Sequence, residues 1–96
     1  MVSKKLKDYE NGKISSWEFT DIDTQEIVYY VKRILLDDGR VVIRFGKTGG
    51  EDFIKIYHVL RLAFNAFMEI ADTLTSRLIQ RGELDLSEIE EMEVLA

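Results

Sequence analysis

The sequence predicts an α+β domain: a three- or four-stranded antiparallel sheet in a β-meander, packed by one long C-terminal helix and followed by a short acidic segment. Three observations predict it. Residues 13 to 47 are dense in β-branched and aromatic side chains and are punctuated by turn residues. Residues 52 to 81 contain no glycine or proline, and their apolar side chains recur at helical spacing over an arc of roughly 200°. Residues 83 to 96 hold six of the 18 acidic residues and none of the 13 lysines and arginines.

Taken in order, residues 1 to 12 read as a basic N-terminal arm carrying Lys4, Lys5 and Lys7, closed by the turn pair Asn11-Gly12. The run KISSWEFT then places Trp17 and Phe19 on one side of a strand and Ser16 and Glu18 on the other. DIDT is a polar connection. The runs EIVYYVKRILL and RVVIRFGK flank Asp37-Asp38-Gly39, and a type I′ turn centred on Asp38-Gly39 joins them as a hairpin. That register opposes Leu36 to Val41, Ile34 to Ile43 and Lys32 to Phe45. Its core face carries Val28, Tyr30, Ile34, Leu36, Val41, Ile43 and Phe45, and its other face Tyr29, Val31, Arg33, Leu35, Arg40, Val42 and Arg44. A rival reading of the first half is a helix, since Ile27, Val28, Val31, Ile34 and Leu35 also form a stripe and Asp23 with Glu26 has capping-box spacing.

The loop Gly46 to Gly50 leads to the long helix, with Glu51 and Asp52 in its first turn, Gly82 just past its end, and Arg77 and Arg81 in its last turn. FIKIY, residues 53 to 57, reads either as the start of this helix or as one more strand. Ser87 and Glu90 have capping-box spacing, so the acidic segment reads as a short amphipathic helix with Ile89, Met92 and Leu95 on one side.

Size and composition bound the function. Ninety-six residues make one domain, and a chain of this length buries only about 60 to 65% of the surface its unfolded form exposes. With 46% hydrophobic and 32% charged residues it is globular in composition. It has no cysteine, which excludes disulfides and thiolate metal sites. No apolar run follows the first lysines, and charges interrupt the long helix, so neither a secretory signal nor a membrane span is expected. A cytoplasmic location is the expectation. A helix of 30 residues extends about 45 Å, whereas an eight-residue strand spans about 27 Å. One small sheet cannot cover it, so a homodimer is expected through Leu60, Phe64, Phe67, Ala71, Leu74 and Leu78.

Candidate chemistry is sparse. Gly46-Lys47-Thr48 ends like a phosphate-binding loop, but the glycine required five residues earlier is Val41. His58 is the single histidine and falls on the polar arc among Lys55, Arg61 and Asn65, without the partners of a metal site. No nucleophile, base and orienting group assemble, so neither catalysis, a metal nor a cofactor is expected. The constellation that stands out is basic and aromatic: Arg33, Arg40, Arg44 and Lys47 near Tyr29 and Trp17. Cations that track phosphates and rings that stack on bases are how single-stranded DNA or RNA is held without strict sequence choice. The expected function is therefore a non-enzymatic homodimer that binds single-stranded nucleic acid on a sheet face. The alternative is a small acidic protein-interaction module, an adaptor, inhibitor or assembly subunit, gripping another protein through its apolar helix or acidic C-terminal segment.

Overall fold

The computed structural model describes residues 1 to 90. It is an α+β fold with a curled, six-stranded sheet and one helix. The strands are β1 (Val2–Tyr9), β2 (Ile14–Asp21), β3 (Ile27–Leu35), β4 (Val41–Lys47), β5 (Asp52–Tyr57) and, after helix α1 (Leu60–Gln80), β6 (Leu84–Glu90). The sheet order is β5-β4-β3-β2-β1-β6. β1 to β5 pair antiparallel in sequence, whereas β6 lies parallel to β1.

Several expectations are corrected here. The sheet has six strands rather than three or four, and the helix lies mid-chain rather than at the C-terminal end. The basic arm is strand β1, whose lysines are interleaved with Val2 and Leu6 at strand period. FIKIY is a strand, which shortens the helix to 21 residues and moves Glu51 and Asp52 out of its first turn. The acidic segment enters as strand β6 and not as a helix; Met92 and Leu95 lie outside the described residues.

The central hairpin forms, but on a different turn. Gly39 N–H donates to Leu36 O, and Leu36 N–H donates to Arg40 O, with Gly39 at φ +91°. This is a three-residue loop, Asp37-Asp38-Gly39, of the type I plus glycine-bulge kind. Asp38 fixes it by accepting from Arg40 N–H at 3.0 Å and from Arg40 Nε at 2.7 Å. One extra loop residue shifts the register by one, so Leu35 pairs with Val41 and Arg33 with Ile43. From Tyr29 to Leu35 the β3 side chains thereby change face: Tyr29, Val31 and Arg33 look toward the helix, and Tyr30, Lys32 and Ile34 look away, while Val28, at an irregularity in the pairing with β2, still packs against the core.

The core is formed by Val2, Trp17, Phe19, Val31, Val41 and Ile43 from the sheet and Ala63, Phe67, Ala71 and Leu78 from the helix, with Leu84 closing it. Ala63 and Ala71 let the helix backbone approach the sheet closely. Since α1 connects β5 to β6, the two edges of the sheet, it has to cross every strand. Six strands span about 24 Å and 21 helical residues about 32 Å, a length that fits an oblique crossing. The helix stops in a Schellman motif, where Glu83 N–H donates to Leu78 O and Gly82 N–H to Ile79 O, with Gly82 at φ +75°. Val2 N–H then donates to Glu83 O at 2.7 Å, which ties the helix end to the first strand.

Gly46 offers a test of this register. A Cβ there would meet the Glu51 backbone oxygen at 2.1 Å, whereas one at Gly39 would meet open space. Gly39→Ala should cost about 1 to 2 kcal/mol, the left-handed penalty alone. Gly46→Ala should cost more, because backbone must move as well. Chemical denaturation of the two variants checks the order.

Candidate functional site

Because α1 crosses obliquely, it leaves one corner of the sheet uncovered, where β3, β4 and β5 meet the flank of the helix. The result is a groove of about 670 Å³. Its floor carries Tyr29, Phe45, Phe53 and Tyr57, and its helical wall carries Ala66, Ile70 and Leu74. Phe45 and Phe53 are stacked with ring centroids 5.3 Å apart, as their direct cross-strand pairing requires. Lys47, Lys55, Arg77 and Arg81 stand around the rim with Glu51 and Glu69.

The rim is electrostatically lopsided. Arg81 Nη1 lies 3.7 Å from Glu83 Oε2, and Glu83 also accepts from the Tyr29 hydroxyl at 3.2 Å. Burial pushes the Tyr29 phenol up, and the Glu83 carboxylate pushes it further. Lys47 Nζ lies 5.7 Å from the centre of the Tyr29 ring, a cation–π arrangement that leaves its charge at the groove mouth. Among the described residues, neither Lys55 nor Arg77 forms an ion pair.

Of the six residues singled out for nucleic acid, the structure gathers two, Tyr29 and Lys47, in this groove. Trp17 is buried, with Lys4 Nζ over its ring at 4.5 Å. Arg33 faces inward, donating to Ser15 Oγ at 3.1 Å and lying 5.8 Å from the Phe67 ring. Arg40 is held in its turn by Asp38, and Arg44 lies on the opposite sheet face, paired with Asp52 at 2.8 Å. The continuous face expected from Tyr29 to Arg44 is thus divided between the two sides of the sheet. Of the six helical residues expected at a dimer interface, Phe67, Ala71 and Leu78 are consumed by the core of their own chain. Leu74 lines the groove, while Leu60 and Phe64 line a separate hollow with Arg33, Leu35 and Val41.

Sequence reasoning missed Phe45, Phe53, Tyr57, Lys55, Arg77 and Arg81 as a set. Two signals for them exist in the chain. Phe53, Lys55 and Tyr57 alternate once FIKIY is a strand, and Ala66, Ile70, Leu74, Arg77 and Arg81 follow one another at three- or four-residue steps.

The uncovered sheet face also carries cations, Lys5, Lys7, Lys32 and Arg44, with Tyr9 and Tyr30, but its charges are committed. Glu18 is buried beneath the lysines, accepting from the Tyr9 hydroxyl at 2.7 Å with Lys7 Nζ 3.3 Å away. Asp52 accepts from Tyr30 as well as Arg44, and Lys32 Nζ lies 5.5 Å from the Tyr30 ring. Lys5, opposite Glu18, also has a partner. No cluster of metal-ligating side chains occurs among the described residues, and no helix there is long and apolar enough to cross a membrane.

No protein-family model, curated protein or solved structure matches this chain. The functional reading therefore rests on the geometry.

The Tyr9–Glu18 pair gives a pH prediction. The hydrogen bond to Glu18 pushes the Tyr9 phenol from 10.0 up to about 12, with burial second. The bond needs the protonated phenol, so its contribution to stability is whole below pH 10 and is lost as pH rises through about 12. Ultraviolet titration should show one tyrosine ionising near pH 12, returning toward its ordinary value in Glu18→Gln. An unchanged curve in that variant would contradict the pairing.

Proposed function

We propose that this protein is a non-enzymatic binding protein whose groove holds single-stranded nucleic acid. Bases stack on the exposed ring of Phe53 and on the half-buried ring of Tyr29, while phosphates lie along Lys47, Lys55, Arg77 and Arg81. The observation that carries this reading is the pairing of an aromatic floor with three rim cations, Lys47, Lys55 and Arg77, that form no ion pair among the described residues. Base stacking on aromatic rings tolerates any base, and backbone neutralisation by lysine and arginine tolerates any sequence. The expected binding is therefore sequence-tolerant and strongly salt-dependent.

The opposite sheet face supports the same chemistry less well, because each acid there already neutralises a neighbouring cation. The net charge of −5 belongs largely to residues beyond the helix and leaves the groove's own balance positive. Binding to a basic groove on an acidic chain is local, so it should fade quickly as salt shortens the range of the field.

Anisotropy titration of a labelled single-stranded oligonucleotide of about 15 nucleotides tests this directly. Lys47→Glu and Arg77→Glu should each weaken binding about 10-fold at low salt. Phe53→Ala should cost a similar factor through lost stacking, whereas Arg40→Glu, outside the groove, should change affinity less than about 2-fold. Absence of binding at low salt, or binding indifferent to salt, would overturn the proposal.

A further inference from the structure

We infer that β5 is the contact between two copies of this chain, which pair edge to edge and antiparallel so that their grooves join into one cleft. The edge strand itself carries the argument. Lys47 N–H donates to Glu51 O, and antiparallel alternation then turns the backbone groups of Phe53, Lys55 and Tyr57 toward β4. Those of Asp52, Ile54 and Ile56 are left pointing outward from the sheet. The side chains are equally unprotected: Ile54 is 58% exposed, Ile56 53% and Phe53 47%.

Natural sheets blunt their edges with charge, proline or bulges. The other edge strand, β6, carries Asp85, Glu88 and Glu90 in its sequence, whereas on β5 Asp52 is taken up by Arg44 and Lys55 is the single charge left, with no proline and no register shift against β4. An edge of six residues blunted by one lysine, at the far side of the sheet from an acidic edge, points to an isologous pair rather than an open chain of sheets.

The sequence of β5 is complementary to itself in one antiparallel register. With Lys55 on the twofold axis, Ile54 of each copy faces Ile56 of the other and Phe53 faces Tyr57. Continued outward, the register sets Asp52 against His58. A twofold axis normal to the sheet keeps both helices on one side. Leu62, at helical spacing from Ala66 and Ile70 on the groove wall, and Val59, in extended backbone just before the helix, then extend the contact; they are 51% and 47% exposed. Phe53, Ile54, Ile56, Val59 and Leu62 each leave on the order of 100 Å² uncovered. With the strand backbone added, this approaches the roughly 800 Å² per partner of a standard interface.

The pairing changes what the groove is. Each groove opens toward β5, so two copies make a cleft floored by β4 and β5 of both and walled by two helices. Lys55 meets its own copy there, a repulsion that an anionic strand in the cleft relieves; this last step rests on the nucleic-acid reading, and the pairing itself does not.

Light scattering of the intact chain should give twice 11.2 kDa at micromolar concentration. Ile54→Lys with Ile56→Lys, at exposed positions that leave the core intact, should raise the dimer dissociation constant at least about 100-fold, with an unchanged circular dichroism spectrum. The chain lacks cysteine, so Lys55→Cys should oxidise to a covalent dimer, and Asp38→Cys should not. Added oligonucleotide should tighten the wild-type dimer. A chain that stays monomeric to high micromolar concentration, with and without oligonucleotide, overturns the pairing even if it binds the oligonucleotide. A dimer untouched by the two lysines, or a faster link through Ile54→Cys, overturns it too. A β5 dimer that binds no oligonucleotide overturns the proposed function and leaves the pairing standing.

Discussion

The loop Asp37-Asp38-Gly39 is the constraint on which the rest of this structure depends. Its three residues, held by Asp38 on Arg40 and by glycine in the left-handed region, set the register of β3 on β4. That register sends Val31 into the core with Val41 and Ile43. It also sends Tyr29 to the groove and Tyr30 to the opposite face. A two-residue turn at the same site would exchange those sets, placing Lys32 under the helix and Val31 in solvent. The strongly apolar partners Val31, Val41 and Ile43 make the observed choice the one that buries hydrocarbon.

The helix supplies the second constraint. It joins the two edges of the sheet, so its ends are fixed by β5 and by the bond between Val2 and Glu83. Small residues at Ala63 and Ala71 seat it closely, and the larger Phe67 and Leu78 fill the space to either side. An element pinned at opposite edges covers a diagonal and leaves a corner bare. The groove is thus a by-product of topology, and its aromatic floor is what the core face of β4 and β5 looks like where no helix covers it.

Much of the fold was legible in the residues. The strand character of KISSWEFT, the Asn11-Gly12 turn and the hairpin around Gly39 all appear in the structure, as does the helix stop at Gly82. The faces of β2 came out as period two requires, with Trp17 and Phe19 on the core side. What escaped was decided beyond local pattern. Asp-Gly serves both two- and three-residue turns, so the register of β3 was ambiguous by one. Strand β1 is masked by its lysines, and its apolar positions Val2 and Leu6 mean little until β6 lies beside them. FIKIY fits a helix and a strand equally well, and only pairing with β4 decides. The candidate site was harder still. Tyr29 and Lys47 were recognisable as chemistry, but Arg77 and Arg81 join them only because the helix crosses this corner.

Antiparallel pairs without mutual hydrogen bonds bring their α protons into close contact, and in this register those pairs include Arg33 with Ile43 and Val31 with Phe45. Nuclear Overhauser spectroscopy of the intact chain reads them directly. The account predicts strong cross-peaks between the α protons of Arg33 and Ile43 and of Val31 and Phe45. Cross-peaks from Ile34 to Ile43 and from Lys32 to Phe45 would contradict it, because the two-residue turn would then hold and the β3 side chains from Tyr29 to Leu35 would face the other way.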